Sequence, residues 1–169
     1  MLRSLRSASS GCGFFSGGIT NGADWYPITG GMQDFNYIFA NTMEITVEVS
    51  CCKYPSRSAL QGEWDKNKES LLRYVMQAHR GIKGTVTKNG VAVGGVTIEV
   101  RKDGESSWRS TVVTTDDNGS YWRLLMPGTY RVRAREYDGS GNIVAASNVI
   151  QGVVVADVEQ ATILDLTLL

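Results

Sequence analysis

NGADWYPITGGMQDFNY (residues 21–37) and, shortly after it, EITVEVS (44–50) closed by CCKYP (51–55) are the stretches whose reading decides the first half of the chain. EITVEVS reads as a strand, because β-branched residues dominate and apolar and polar positions alternate. Met43, Ile45, Val47 and Val49 fall on one face, and Glu44, Thr46, Glu48 and Ser50 on the other. Two carboxylates on such a strand call for polar partners or a cleft. At four residues' separation they stand roughly 13 Å apart on a strand, beyond the roughly 5–9.5 Å of a paired hydrolytic acid and base. At most one of them can sit at a reacting bond. NGADWYPITGGMQDFNY reads as a loop: Gly22, Pro27, Gly30 and Gly31 punctuate it, and Trp25, Tyr26, Phe35 and Tyr37 give it apolar surface to pack. An aromatic loop feeding an acid-bearing strand suits a substrate cleft, and it suits an ordinary packed loop as well.

Outward from there the period changes. Leu60, Trp64, Leu71, Leu72, Val75 and Met76 recur at helical intervals among charged residues, which predicts an amphipathic helix from about Gln61 to His79, stopped by Gly81. Its charged side (Asp65, Lys66, Lys68, Glu69) reads as solvent exposure. His79 is the chain's one histidine and stands at the helix end, where a cation suits the helix dipole. A structural or capping role fits it better than metal ligation, since no second histidine exists and the cysteines are too few for a closed zinc site.

From Ile82 onward the reading is all-β. Short alternating runs (IKGTVT, GVTIEVR, STVVTT, YWRLLM, TYRVRARE, NIVAAS, QGVVVADV, ATILDLTLL) are separated by turn signals such as Asn89-Gly90, Asp103-Gly104, Asn118-Gly119, Pro127-Gly128 and the 138–141 run. That spacing predicts a small antiparallel sandwich or barrel, with enough strands in residues 82–169 to close a two-layer core. In TYRVRARE, Tyr130, Val132 and Ala134 share the inner face and Arg131, Arg133 and Arg135 the outer one. Three arginines in a row can bind an anion or a partner; a solvated outer sheet face is the simpler reading. Asn118-Gly119-Ser120 meets the N-glycosylation pattern, although its place in a turn already accounts for Asn-Gly.

Composition narrows the field. The 169 residues allow one domain or two small ones, and 17 basic residues balance 17 acidic ones. Net charge therefore gives no reason to expect nucleic acid as a partner. No apolar run approaches the ~18 residues of a membrane span. Residues 1–13 are rich in Ser and Arg, lack the apolar core of a secretory signal, and stay unassigned. Cys12, Cys51 and Cys52 make an odd count, and neighbouring cysteines bridge each other only with strain.

GITNGADWYPITGGMQDFNYIFAN with EITVEVSCCKYP resembles the C-terminal part of the catalytic domain of zinc metallocarboxypeptidases, most closely the regulatory N/E subfamily. The segment after residue 80 resembles the transthyretin-like domain that follows it in that subfamily. The resemblance implies an α/β part over 14–80, the end of a mixed sheet with its last helix, and an all-β transthyretin-like sandwich over 81–169. It implies removal of C-terminal Lys or Arg from peptides by zinc-assisted hydrolysis, in a secreted or secretory-pathway protein. By motif it gives Glu48 the role of general acid/base, Tyr26 that of the mobile tyrosine over the substrate's C-terminus, and Gln33 and Thr46 a place at the specificity pocket. It implies Zn²⁺ as cofactor, yet the motifs that supply the zinc ligands and the carboxylate-anchoring arginines are not in this sequence. A chain carrying half a site is expected to be inactive alone, as part of a longer protein. In a secreted relative Cys12 would pair with one of Cys51 and Cys52; Thr42 stands where relatives often carry another cysteine, which alters that pattern. The alternative is a non-enzymatic extracellular binding or structural β-sandwich.

Overall fold

The computed structural model describes residues 19–49 and 53–169, so Cys12, Cys51, Cys52, Ser50 and the 1–13 segment lie outside the described residues. Contacts divide the chain into two compact units, one formed by residues up to 32 with 44–77 and the other by 33–43 with 78–169.

The first unit holds a one-turn helix, α1 (Gly22–Trp25), an extended run from Glu44, and the long helix α3 (Leu60–Met76). α3 lies where helical periodicity predicts it and runs on through a short 3₁₀ turn, Gln77–His79. Its solvent side is laced by Lys66–Glu63, Lys68–Asp65 and Arg73–Glu69 pairs at 3.1, 3.1 and 2.8 Å. Such solvent-exposed pairs contribute little to stability. The apolar stripe stays largely uncovered: Leu60, Trp64, Leu72 and Val75 are each more than half exposed. EITVEVS departs from expectation. Alternation predicts a strand, but residues 41–49 form no regular element. A strand is defined by a ladder with a neighbour, and among the described residues none pairs with this run.

A second departure lies in the loop reading. Residues 32–40 form a helix, α2 (Met32–Ala40). Asp34 favours its first turn, Phe35 stacks on Phe39 one turn later at 4.9 Å, and Asn41 ends it in the left-handed conformation at φ 50°.

The β-domain carries nine strands in the second unit. They are β1 (Ile82–Lys88), β2 (Val91–Ala92), β3 (Thr97–Lys102), β4 (Ser120–Arg123), β5 (Gly128–Tyr137), β6 (Ile143–Ala146), β7 (Ile150–Val155), β8 (Thr162–Ile163) and β9 (Leu166–Leu168). One sheet is built on β1, with β2 and β4 antiparallel along one edge and β8 and β9 parallel along the other. The second sheet is built on β5, flanked by β3 on one side and by β6 and β7 on the other. STVVTT gives no full strand. It runs irregularly beside β3 through Ile98 N–H to Val113 O and Thr115 N–H to Val96 O, with a single bridge at Thr97–Thr114.

Alternation fills the space between the sheets. Ile82, Val86, Ile98, Val100, Tyr130, Val132 and Ala134 are fully buried, and Val153, Val155, Leu166 and Leu168 complete the packing. Each such aliphatic side chain contributes roughly 1.5–3 kcal/mol on burial. The apolar core of the described residues lies entirely at or beyond Ile82. Asn89 and Gly90, at φ 53° and 79°, make the tight turn that returns β1 into β2.

At Gly84 the C-terminal run comes so close that any β-carbon would collide with the Leu164 carbonyl. The same crossing is stitched by Leu164 N–H to Lys83 O at 2.8 Å. Thr85 N–H donates to Asp165 Oδ1 at 2.8 Å, and Tyr121 Oη donates to Leu164 O. Gly84→Ala is therefore expected to destabilise the chain by roughly 3 kcal/mol through backbone displacement, read as a lowered urea midpoint. An unchanged midpoint would show that the strand pair relaxes freely.

Burial, and secondarily the Asp165 carboxylate, push the Tyr121 phenol far above its ordinary range. The folded chain keeps this proton where the unfolded chain releases it, above about pH 10. The stability it contributes is full below that pH and is lost as pH rises beyond it. Tyr121→Phe should flatten the alkaline decline in a denaturation series from pH 9 to 12. An equally steep decline in the variant would assign the effect to other groups.

Candidate functional site

Local chemistry places each predicted site residue. Asn21 caps α1 by accepting from Ala23 N–H at 3.1 Å, and the helix ends after one turn at Tyr26, whose backbone is extended. The Tyr26 ring is about half exposed and rests edge-on against Trp25, 4.7 Å between centroids at 68°. Thr46 and Glu48 lie in the run without regular structure, both exposed. Gln33 sits in α2 and is half-buried. Tyr26, Thr46 and Glu48 thus belong to the first unit and Gln33 to the second.

The run holding Glu48 is moored near its start. Tyr74 of α3 takes a hydrogen bond from the Ile45 backbone, and its phenol is pushed up by burial first and by the Glu44 carboxylate second. Glu44 is half-buried and Glu48 exposed, so the two carboxylates occupy different surroundings despite sharing a face in the alternating pattern. Tyr74 is a member of this neighbourhood that sequence reading misses. It stands one turn of helix before the helix end, on a residue type that the apolar count passes over.

A metal centre does not fit these residues. Among the described residues no group of three His, Cys, Asp or Glu side chains is placed to hold an ion. His79 packs edge-on against Trp122 at 6.0 Å, and Lys83 lies over the same indole at 4.7 Å. The histidine is thus one side of an aromatic and cationic cluster on the outer face of the β1 sheet. A shallow depression of about 460 Å³ in the second unit is lined by residues such as Phe39, Thr42, Ala78, Val112, Trp122 and Leu124. None of the four predicted site residues lines it.

What these elements belong to is decided by comparison with known proteins. The family model for zinc carboxypeptidase matches residues 2–70, and that for the carboxypeptidase regulatory-like domain matches residues 81–168. The chain belongs to the zinc carboxypeptidase family. It is 52% identical over 124 residues to carboxypeptidase D of Drosophila melanogaster, covering 73% of this chain and 8% of that protein. It is 46% identical over 126 residues to the mouse carboxypeptidase N catalytic chain, covering 73% and 26%, and 50% identical over 120 residues to mouse carboxypeptidase Z, covering 70% and 17%. The chain thus spans about a quarter or less of the carboxypeptidases it matches. Its β-domain is a carboxypeptidase regulatory-like domain, a transthyretin-like fold, as the resemblance implies. No helix among the described residues is long and apolar enough to cross a membrane.

Proposed function

We propose that this chain is the C-terminal portion of a metallocarboxypeptidase that removes C-terminal Lys or Arg from peptides and proteins, with Glu48 as its proton carrier. The observation that supports this reading is the zinc carboxypeptidase match over residues 2–70, and the acid/base role is assigned to Glu48 from its place in EITVEVS. A carboxylate there, once a cleft closes over it, can take a proton from attacking water and pass it to the leaving amine. Tyr26, at the end of a one-turn helix, is assigned the substrate's C-terminal carboxylate, and Gln33 and Thr46 the terminal side chain. Zinc, when bound in such enzymes, supplies Lewis-acid activation of carbonyl and water. Its ligands are assigned to a part of the protein outside these residues, and the chain alone is taken to be inactive. The secretory pathway or the extracellular space is the setting this reading implies. A second reading, a non-enzymatic binding module, is favoured by one observation: the β-domain closes its own core without help from the first half.

Three measurements test the first reading. After dialysis the purified 169-residue chain should retain no stoichiometric zinc and should not cleave a peptide ending in arginine. One equivalent of zinc with turnover would overturn the half-site reading. In a longer protein that restores the zinc-binding half, Glu48→Gln should lower kcat by roughly 10²–10⁴-fold and leave substrate affinity within a few-fold, because shape is nearly constant. An unaltered kcat would show that another carboxylate moves the proton. Cleavage of C-terminal Phe and Arg peptides at equal rates by that protein would refute basic specificity.

A further inference from the structure

We propose that the outer face of the β3–β5 sheet binds the carboxylates of an extended acidic peptide segment, with Arg101 and Arg131 as the clamp. The inference does not depend on the enzymatic reading. The antiparallel register places Arg101 directly opposite Arg131, and like charges so placed repel across the ladder. The rows beside them are neutralised differently. Glu99 stands opposite Arg133 and accepts from Arg133 at 2.5 Å, from Arg135 at 3.5 Å and from Tyr137 Oη at 2.9 Å. Its capacity is used by these three donors. Arg131 reaches Asp103 only at 3.4 Å, with both side chains over two-fifths exposed. Arg101 donates to the Ser106 carbonyl at 3.3 Å and lies 5.2 Å from the Trp108 ring. Nearby Glu105 is occupied by Arg109 at 2.9 Å. Four guanidinium groups on this face therefore meet two carboxylates, and the surplus lies at the opposed pair.

The remaining surface fits an extended chain. Arg133 stacks on Trp108 at 3.9 Å, which holds the indole as a wall beside the clamp. On the other side, Val154 is exposed opposite Thr129. Alternate residues of β5 repeat every ~6.5–7 Å, and so do the side chains of an extended peptide. A segment laid along β5 with acids at alternate positions brings one carboxylate between Arg101 and Arg131 and another to Arg135. Planar guanidinium forks take carboxylates in bidentate fashion, which an ammonium cannot do.

The test uses the 169-residue chain and a fluorescent Ser-Glu-Ser-Glu-Ser-Glu-Ser peptide, followed by anisotropy. Saturable binding is expected that weakens at least fivefold between 50 and 500 mM NaCl. The Arg101→Ser, Arg131→Ser double variant is expected to bind at least tenfold more weakly while keeping its thermal midpoint, since it removes a repulsion on an outer face. The Arg101→Lys, Arg131→Lys variant keeps the charge and is expected to lose at least threefold. Failure of the parent chain to bind, or equal binding by the Ser variant, would overturn the proposal. Undiminished binding by the Lys variant, or tighter binding of a sulfated oligosaccharide through the same pair, would do so too.

Discussion

The parallel seating of the C-terminal run against β1 is the constraint on which the β-domain depends. β1 carries antiparallel neighbours on one edge, and its other edge would be an open row of N–H and C=O groups without β8 and β9. Gly84 makes the approach sterically possible, and Asp165 supplies a side-chain acceptor where the backbone ladder is interrupted between the two short strands. Tyr121 closes the arrangement by donating to Leu164 from the other side of β1. The last residues of the chain thus deliver Leu166 and Leu168 into the core, each almost fully buried. Leu169 N–H bonds across to Ala146 O at the second sheet. Closure of this sandwich is a long-range event that joins residues 82–88 to residues 162–168.

Whether a residue was legible in the sequence follows from whether its cause is local. The inner and outer faces of TYRVRARE follow from a period of two, and the β1–β2 turn follows from Asn89-Gly90. α3 follows from spacing over seventeen residues. EITVEVS has an equally clean period, yet pairing is a property of two segments, and alternation cannot say whether the second is in place. α2 was hidden by what precedes it, because Pro27, Gly30 and Gly31 among aromatics read as loop. Phe35 and Phe39 at i, i+4 with Asn41 at the end are the helical signals it does contain. The opposition of Arg101 and Arg131 depends on register between strands some thirty residues apart, which no single run of sequence encodes.

The site shows the same division in chemical form. Glu48, Tyr26, Gln33 and Thr46 are proposed as site residues because a motif fixes residue types in order, whereas their surroundings come from packing. Glu44 and Glu48 illustrate the difference. Identical in type and equivalent in the alternating pattern, they differ because α3 brings Tyr74 to the Ile45 backbone and leaves residue 48 in solvent. A carboxylate that works on one attacking water needs bulk solvent kept away from it, which a closed cleft does and an open surface does not. The acid/base role proposed for Glu48 therefore requires a setting that removes it from solvent.

The two halves of the chain answer that requirement differently. The β-domain buries its own apolar faces, so what it presents outward is charge and hydrogen-bonding capacity held at fixed spacings. The first half presents apolar residues outward: Trp25, Phe35, Phe39, Leu72 and Val75 are more than half exposed, and Ile45 is exposed as well. Side chains of this kind, on elements that carry family site motifs, are what a larger sheet would cover. Ile45 and Val49 stand in the same run as Glu48, so a neighbouring sheet that covered them would also order that run as the strand its alternation predicts.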